Sequence, residues 1–332
     1  MMMTLFNNLA RRDDISLNRL VFFMRRKAGL YVYDAVPIKQ NMYSLYTENG
    51  VKIIKGYVHL SHLEAIHHAL NAVVKEGFTQ AVQYEHYPNG KLAVFFNGMY
   101  WALIPYLPTV SRFCYETFNQ REQTISLLRA FHQCGEAALP NVERFLPRMN
   151  LTERWETRLR QFKKNHEELS LYISESIQSA IAEWAETSLD LFERLWQPSY
   201  SRLCILHGDV ASHNVIHSRG GALWLIDFDL LSVGLKEYEY MQLMHRFLRY
   251  TKWSLSALEQ HTFIRELMHT KWLMCLLLFP SDILREWNKI CSWPSHQRMT
   301  GRLSVLIDAT MQEVHYRQSL VEEIMNRLDS SD

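Results

Sequence analysis

The sequence predicts an α+β protein in which a small antiparallel sheet carrying one helix precedes a mainly helical remainder. Three observations predict it. Short runs rich in Tyr, Val, Ile and Phe crowd residues 30 to 108, helical apolar spacing takes over from residue 119, and the second part holds one β-rich island, "LHGDVASHNVIHSRGGALWLIDFD" at 206–229. A chain of 332 residues has room for two structural units, placed here at 1–107 and 108–332.

The strand candidates run in order as "GLYVYDAV", "MYSLYT", "VKIIKGY", "AVQYEHY", "KLAVFF" and "YWALIPYL". Two Asn-Gly pairs, at 49–50 and 89–90, sit between such runs and predict tight antiparallel hairpins, because Asn and Gly tolerate the positive φ those turns need. Between them, "SHLEAIHHALNAVVKEG" has apolar residues at 63, 66, 70, 73 and 74, one face of a helix, with Gly77 as its C-cap. Beyond residue 119 come "NQREQTISLLRAFHQCGEAAL", the stretch 151–196, and patterned segments from 236 onward that end in the amphipathic "VLIDATMQEVHYRQSLVEEIMNRL".

Lys plus Arg number 36 against 35 Asp plus Glu, so no global basic field argues for nucleic acid as a partner. Five cysteines (114, 134, 204, 275 and 291) are widely spaced without a C-x-x-C pair, which speaks against a disulfide framework and suits a reducing compartment. The N-terminal residues mix charge into their apolar runs and predict no export signal. The most apolar run, "WLMCLLLFP" at 272–280, is too short to span a bilayer and predicts a buried helix.

Chemistry concentrates in the island. "RLCIL" has the character of a buried strand leading into His207-Gly208-Asp209, while "NVIHS" and "ALWLID" flank "RGG" as the arms of a hairpin. Pairing centred on Arg219 and Gly220 sets Asn214 near Ile226 and Asp227, and Asp209 reaches the same end by the loop. Two carboxylates and an amide oxygen converging in this way call for a divalent cation. Mg²⁺ fits, since it takes oxygen ligands, uses one or two carboxylates and leaves other positions to water and phosphate. Asp209 is then placed to accept a proton from a hydroxyl attacking phosphorus. His213 and His217, four apart, also raise zinc chemistry, but a strand conformation would hold them too far apart for easy chelation.

The order H-G-D-x-x-x-x-N followed thirteen residues later by D-F-D matches kinase-type sites. The chain resembles the aminoglycoside phosphotransferase and choline kinase superfamily, and residues 35–245 most resemble the CotS-type spore coat proteins of endospore-forming bacteria. "GVKIIKGY", "YPNGKLAVFFNGMYWALIPYL", "LLRAFHQ" and "IDFDLLSVGLKEYEYMQLM" carry the second likeness. The resemblance implies a two-lobed protein-kinase-like fold with a nucleotide-binding N-terminal lobe and a helical lobe holding the catalytic loop and metal site. It implies ATP and Mg²⁺ as cofactors and transfer of phosphate, in the cleft between the lobes, to a hydroxyl of a small molecule or coat component. By it Asp209 is the catalytic base, His207 and Gly208 shape the loop, and Asn214 and Asp227 hold the metal. Lys55 holds nucleotide phosphates with Glu64 or Glu76 as its helical partner, and "LIPYLP", with Ile104 and Tyr106, forms the hinge against adenine. It further implies a place in the mother-cell cytoplasm and in the spore coat.

Three departures accompany the likeness. "VPIKQNMYSLY", before Lys55, has no glycine to drape backbone amides over phosphates, which implies weakened or lost nucleotide binding. Glu239 stands where many relatives carry an aspartate that braces the catalytic loop, and no A-P-E segment for docking a protein substrate is present. A catalytically inactive structural coat protein therefore stands as the alternative to an enzyme.

Overall fold

A computed structural model describes residues 17–196, 202–294 and 301–330. Strands β1 (Val32–Lys39), β2 (Met42–Thr47), β3 (Gly50–Tyr57), β4 (Ala93–Phe96) and β5 (Met99–Pro105) form one antiparallel sheet in the order β1-β2-β3-β5-β4. The expected β2–β3 hairpin closes with Thr47 opposite Gly50, whose φ of +93° glycine adopts without steric cost. β1 is an edge strand with register irregularities between Val32 and Asp34 and between Pro37 and Lys39. One face buries Leu45, Ile54, Trp101 and Leu103 against Met24 and Ala28 of a helical segment over 17–28. Helix α1 (Leu60–Lys75) buries Leu63, Ile66, Ala69, Leu70 and Val73, the face its spacing predicted; its C-cap is Glu76 rather than Gly77, which follows with φ +109° and turns the chain.

The second predicted hairpin forms elsewhere. "AVQYEHY" is extended but builds no ladder; it makes isolated bridges, Ala81 with Leu225 and Glu85 with Leu103. The Asn89-Gly90 turn does close, with Tyr87 N–H donating to Lys91 O at 2.8 Å. The partner of β4 is β5, joined through Asn97-Gly98. Both turn residues have positive φ, +50° and +78°, as a two-residue type I′ turn requires.

Helices α2 (Phe118–Val142), α3 (Leu151–Lys164), α4 (His166–Leu169) and α5 (Glu175–Leu195) follow, then α6 (Lys236–Leu248), α7 (Leu255–Glu259), α8 (Thr262–Met268), α9 (Lys271–Cys275), α10 (Ser281–Ser292) and α11 (Gly301–Asp329). In the island, β6 (Leu203–Leu206) pairs with β9 (Ser232–Leu235), and β7 (Val215–His217) pairs with β8 (Leu223–Leu225). The fold is thus α+β, with its sheet first and helices after.

Internal contacts divide the chain into two units. One gathers residues up to Phe113 with Ala130–Pro147 and His213–Leu231; the other holds Cys114–Arg129, Arg148–Ser212 and the chain from Ser232 onward. The β7–β8 hairpin belongs to the sheet's unit because Leu225 N–H donates to Gln80 O at 2.8 Å and Leu225 O accepts from Val82 N–H at 3.1 Å. The helical unit packs Trp155 flat on Phe279, ring centres 4.0 Å apart, and buries the whole run Trp272–Leu278.

No single helix among the described residues is long and apolar enough to cross a membrane. None of the five cysteines forms a disulfide. The stretch read for an export signal lies largely outside the described residues.

Candidate active site

In the sheet's unit, strand register decides which side chains meet. Lys39 lies opposite Met42, Met42 opposite Lys55, and Lys55 opposite Ala102, so both lysines stand in one cross-strand row on one face. Period-two alternation adds Ile53 and Tyr57 to that face and turns Lys52 away to pair with Glu85 at 2.8 Å. Lys55 is 8 % exposed. Its Nζ lies 2.5 Å from Asp227 Oδ1 and 2.6 Å from Asp229 Oδ2, and Lys39 Nζ lies 3.1 Å from Asp227 Oδ2.

Tyr57 and Tyr84 complete this cluster. The Tyr57 hydroxyl donates to Asp229 Oδ1 at 3.0 Å and lies 2.6 Å from the Tyr84 hydroxyl. Burial, then Tyr84 and Asp229, push the Tyr57 phenol far above its ordinary range, so it stays a neutral donor. Burial alone would raise Asp227, but the ion pairs with Lys55 and then Lys39 overrule it and hold the carboxyl below its usual value. Asp227 has φ +62°, a left-handed conformation that Asp tolerates better than most residues.

Lys39, Lys55, Tyr57, Tyr84 and Asp227 line a cavity of about 300 Å³ that also includes Ile53, Ile104, Tyr106, Asn214 and Phe228. Asn214 is 3 % exposed, and its backbone O accepts from Ile226 N–H at 3.0 Å, the juxtaposition the hairpin arithmetic predicted. In the segment meant to meet adenine, Pro105 and Pro108 have no N–H, leaving Leu103, Ile104, Tyr106 and Leu107 as the residues with backbone donors. The turn that replaces a glycine-rich loop is short. Gln40 and Asn41 close β1 onto β2, Asn41 has φ +56°, and its carbonyl accepts from Gly56 N–H at 2.9 Å.

The other expected partner of Lys55 is not brought to it. Glu64 lies exposed on α1 and joins no ion pair among the described residues, and Glu76 is exposed at the end of that helix. The aspartates of "DFD" take the lysine instead, because they emerge on the strand face that Lys55 shares.

In the helical unit, β6 delivers His207, Gly208 and Asp209. His207 is fully buried, and Gly208 takes φ +84° to turn the chain. Glu239, at the start of α6 and fully buried, accepts from the backbone N–H groups of both residues, at 3.0 Å from His207 and 2.5 Å from Gly208. Asp209 N–H donates to His207 Nδ1 at 3.3 Å, which fixes the loop from within. The Asp209 carboxylate meets Arg246 of α6, Nη2 to Oδ1 at 2.6 Å.

The donor set suits a hard divalent cation. Asn214 and Asp227 offer an amide and a carboxylate oxygen in a cavity with room for phosphate, the kind of partial protein shell that Mg²⁺ accepts. It does not suit zinc: His213 sits in the 3-10 turn Ser212–Asn214 and His217 ends β7, so the helical i, i+4 chelate does not form. Among the described residues no group of three or more His, Cys, Asp or Glu side chains is placed to hold a metal.

Reading the sequence alone missed Lys39, Tyr57, Tyr84 and Arg246. Lys39 was legible from strand register, had the β1–β2 turn been placed at Gln40-Asn41. Arg246 follows Glu239 by seven residues, two helical turns along one face.

The architecture is that of the protein-kinase-like phosphotransferases. Among solved structures, the aminoglycoside phosphotransferase from Alicyclobacillus acidocaldarius superposes with a TM-score of 0.65 at 14 % identity, over 90 % of this chain and 93 % of that one. Spectinomycin phosphotransferase in complex with ADP and spectinomycin gives a TM-score of 0.61 at 15 % identity, over 94 % and 98 %. Amicoumacin kinase in complex with AMP-PNP, Ca²⁺ and amicoumacin gives 0.56 at 12 %, over 91 % and 93 %. Residues 56–264, more than half of the chain, match the model of the phosphotransferase enzyme family, and the chain belongs to that family. No curated protein sequence matches it.

Proposed function

We propose that this protein transfers the γ-phosphoryl group of ATP to a hydroxyl of a small molecule or coat component, with Mg²⁺ as cofactor, and that it works in the mother cell on or within the spore coat. The observation that carries the enzymatic part is the cavity lined by Lys55, Asn214 and Asp227, with the basic row Lys39–Lys55 facing the two aspartates. The coat assignment rests on the sequence resemblance to CotS-type proteins.

Each group then has a role. Asn214 and Asp227 would hold the metal, which when bound neutralises charge on the β- and γ-phosphates. Lys55, and Lys39 beside it, contact phosphate oxygens as point charges, taking over from backbone amides that the glycine-free turn does not supply. The turn is not a loose flap, since Asn41 is pinned to Gly56. Tyr57 holds Asp229 in place for Lys55. Ile104 and Tyr106 face the adenine. In the transfer step the acceptor oxygen forms a bond to the γ-phosphorus while the bond from phosphorus to the β,γ-bridging oxygen breaks, ADP leaves, and the hydroxyl proton passes to Asp209. Glu239 and His207 hold Asp209 in position; neither touches the reacting atoms.

The second reading, a catalytically inactive member kept as a structural coat protein, is favoured by the same lysines: they already neutralise Asp227, the carboxylate a metal needs. One experiment separates the two. Saturating Mg·ATP should raise the melting temperature of the wild type, ligand at about a hundred times its Kd contributing roughly 2.7 kcal/mol, and Asp227→Ala should abolish the metal-dependent part. No shift in the wild type, or an unchanged shift in the variant, overturns the enzymatic reading.

A further inference from the structure

The helical unit gathers arginines near the catalytic loop. Arg154 and Arg158 are four residues apart on α3 and therefore share a face, and α3 packs on α10, which carries Arg285. The two helices are fastened there: Asn288 Nδ2 donates to Arg158 O at 2.8 Å, and the Arg158 guanidinium donates to Ser281 Oγ. Arg246 adds a fourth guanidinium, paired to Asp209.

The carboxylates nearby do not balance them. Asp282 is claimed by Arg317 at 2.6 Å and Arg249 at 3.1 Å, and Glu286 pairs with Arg285 at 2.9 Å. Arg154 and Arg158 form no ion pair among the described residues. Their crowding is felt electrostatically. Burial, then Arg154 and Arg285, push the Arg158 guanidinium down to about 10, with Asp282 acting the other way. Arg154, whose side chain remains exposed, is drawn down by partial loss of water and then by Arg285, with Asp209 opposing. Geometry ties this cluster to the catalytic loop: Arg158 bonds Ser281 while Arg249 bonds the adjacent Asp282, and Arg246, one turn before Arg249 at the end of α6, holds Asp209.

From this geometry we infer that Arg154, Arg158 and Arg246 form a binding site for the oxyanion, carboxylate or phosphate, of a hydroxyl-bearing ligand beside Asp209. The inference deepens the phosphotransfer reading and rests on it for the word acceptor: the hydroxyl compound phosphorylated is an anion. Guanidinium groups bind such oxyanions through paired N–H donors. An anionic ligand relieves the repulsion among Arg154, Arg158 and Arg285 and competes with Asp209 for Arg246. A ligand bearing an ammonium group in its place adds to the repulsion. The site therefore selects by charge, and an anionic acceptor loosens the very ion pair that holds Asp209.

A matched series of three-carbon hydroxyl compounds tests this with the full chain: glycerate, glycerol phosphate, glycerol and aminopropanediol. The first arm measures binding without nucleotide, by thermal shift at constant ionic strength. Glycerate and glycerol phosphate should stabilise the wild type, their ranking telling carboxylate from phosphate. Arg154→Ala and Arg158→Lys should each weaken that binding at least about tenfold, the loss of one charged hydrogen bond. Arg154 is exposed and unpaired, so its variant does not depend on the contact that Arg158 makes with Ser281. Absence of stabilisation by both anions, equal stabilisation by aminopropanediol, or unchanged binding in Arg154→Ala overturns the proposal. The second arm adds Mg·ATP and follows ADP release. Anion binding without turnover supports the oxyanion site and overturns the phosphotransfer reading alone, so the two failures are distinguishable.

Discussion

Glu239 spends both carboxylate oxygens on backbone N–H groups of the catalytic loop. Glu239→Gln keeps the size but turns an amide N–H₂ toward one of those donors, and it should cost about 2–3 kcal/mol in denaturant unfolding, as for a buried charged hydrogen bond. Lys39 offers a separate test. Because its ammonium competes for Asp227 Oδ2, Lys39→Ala should tighten calorimetrically measured binding of Mg²⁺ alone several-fold while weakening that of Mg·ATP. At this scale much was legible beforehand. Hairpin arithmetic set Asn214 beside Ile226 and Asp227, and the structure has them lining one cavity, since that pairing depends on local spacing; Asp209, expected at the same end, is a residue of the helical unit paired with Arg246. The partner of Lys55 was not legible, because choosing between Glu64 and the "DFD" aspartates requires knowing which way α1 faces, a tertiary fact that spacing along the chain does not hold.

Among elements, turns and close approaches decide the outcome. Asn97-Gly98 is a two-residue turn with both φ angles positive, and a Cβ at Gly98 would meet nothing within 4 Å. Gly98→Ala should therefore cost about 1 kcal/mol from left-handed backbone alone, read as a small drop in melting temperature with binding unaffected. Gly234 is the opposite case. On β9 its added Cβ would lie 2.7 Å from Leu206 Cδ1 and 3.3 Å from Met149 Cβ, so Gly234→Ala should cost about 1–3 kcal/mol from overpacking. The contrast bears on what the sequence revealed. "AVQYEHY" has strand chemistry, yet its neighbours Leu103 and Leu225 come from far along the chain, and nothing local distinguishes a lone bridge from a full ladder. The pair at 97–98, by contrast, carried the same turn signal as 49–50 and was readable.

Across the molecule, the helical unit depends on charges held out of water. His245 donates from Nε2 to Leu277 O at 3.1 Å, and burial pushes its imidazole down to about 4. A histidine with a lowered folded value stays neutral while the unfolded chain takes up protons, so its contribution is full above the unfolded value and is lost as pH falls toward the folded one. Stability should decline between about pH 6.5 and 4, by an amount on the order of 3 kcal/mol from this group, and His245→Gln, which keeps a donor but cannot be protonated, should flatten that part of a melting-temperature profile. The sheet raises a different matter, that of keeping separate copies apart. β1 turns Tyr33, Val36 and Ile38 outward, each more than 40 % exposed, on a strand with no neighbour on one side among the described residues. A bare edge of that composition is a template on which another chain can extend the sheet, and Pro37, together with the register break beside it, removes an N–H from the template and bends it. Pro37→Thr should leave the fold intact yet promote concentration-dependent self-association, visible by light scattering, so that one imino acid and the register break beside it keep further copies of the chain from adding to this edge.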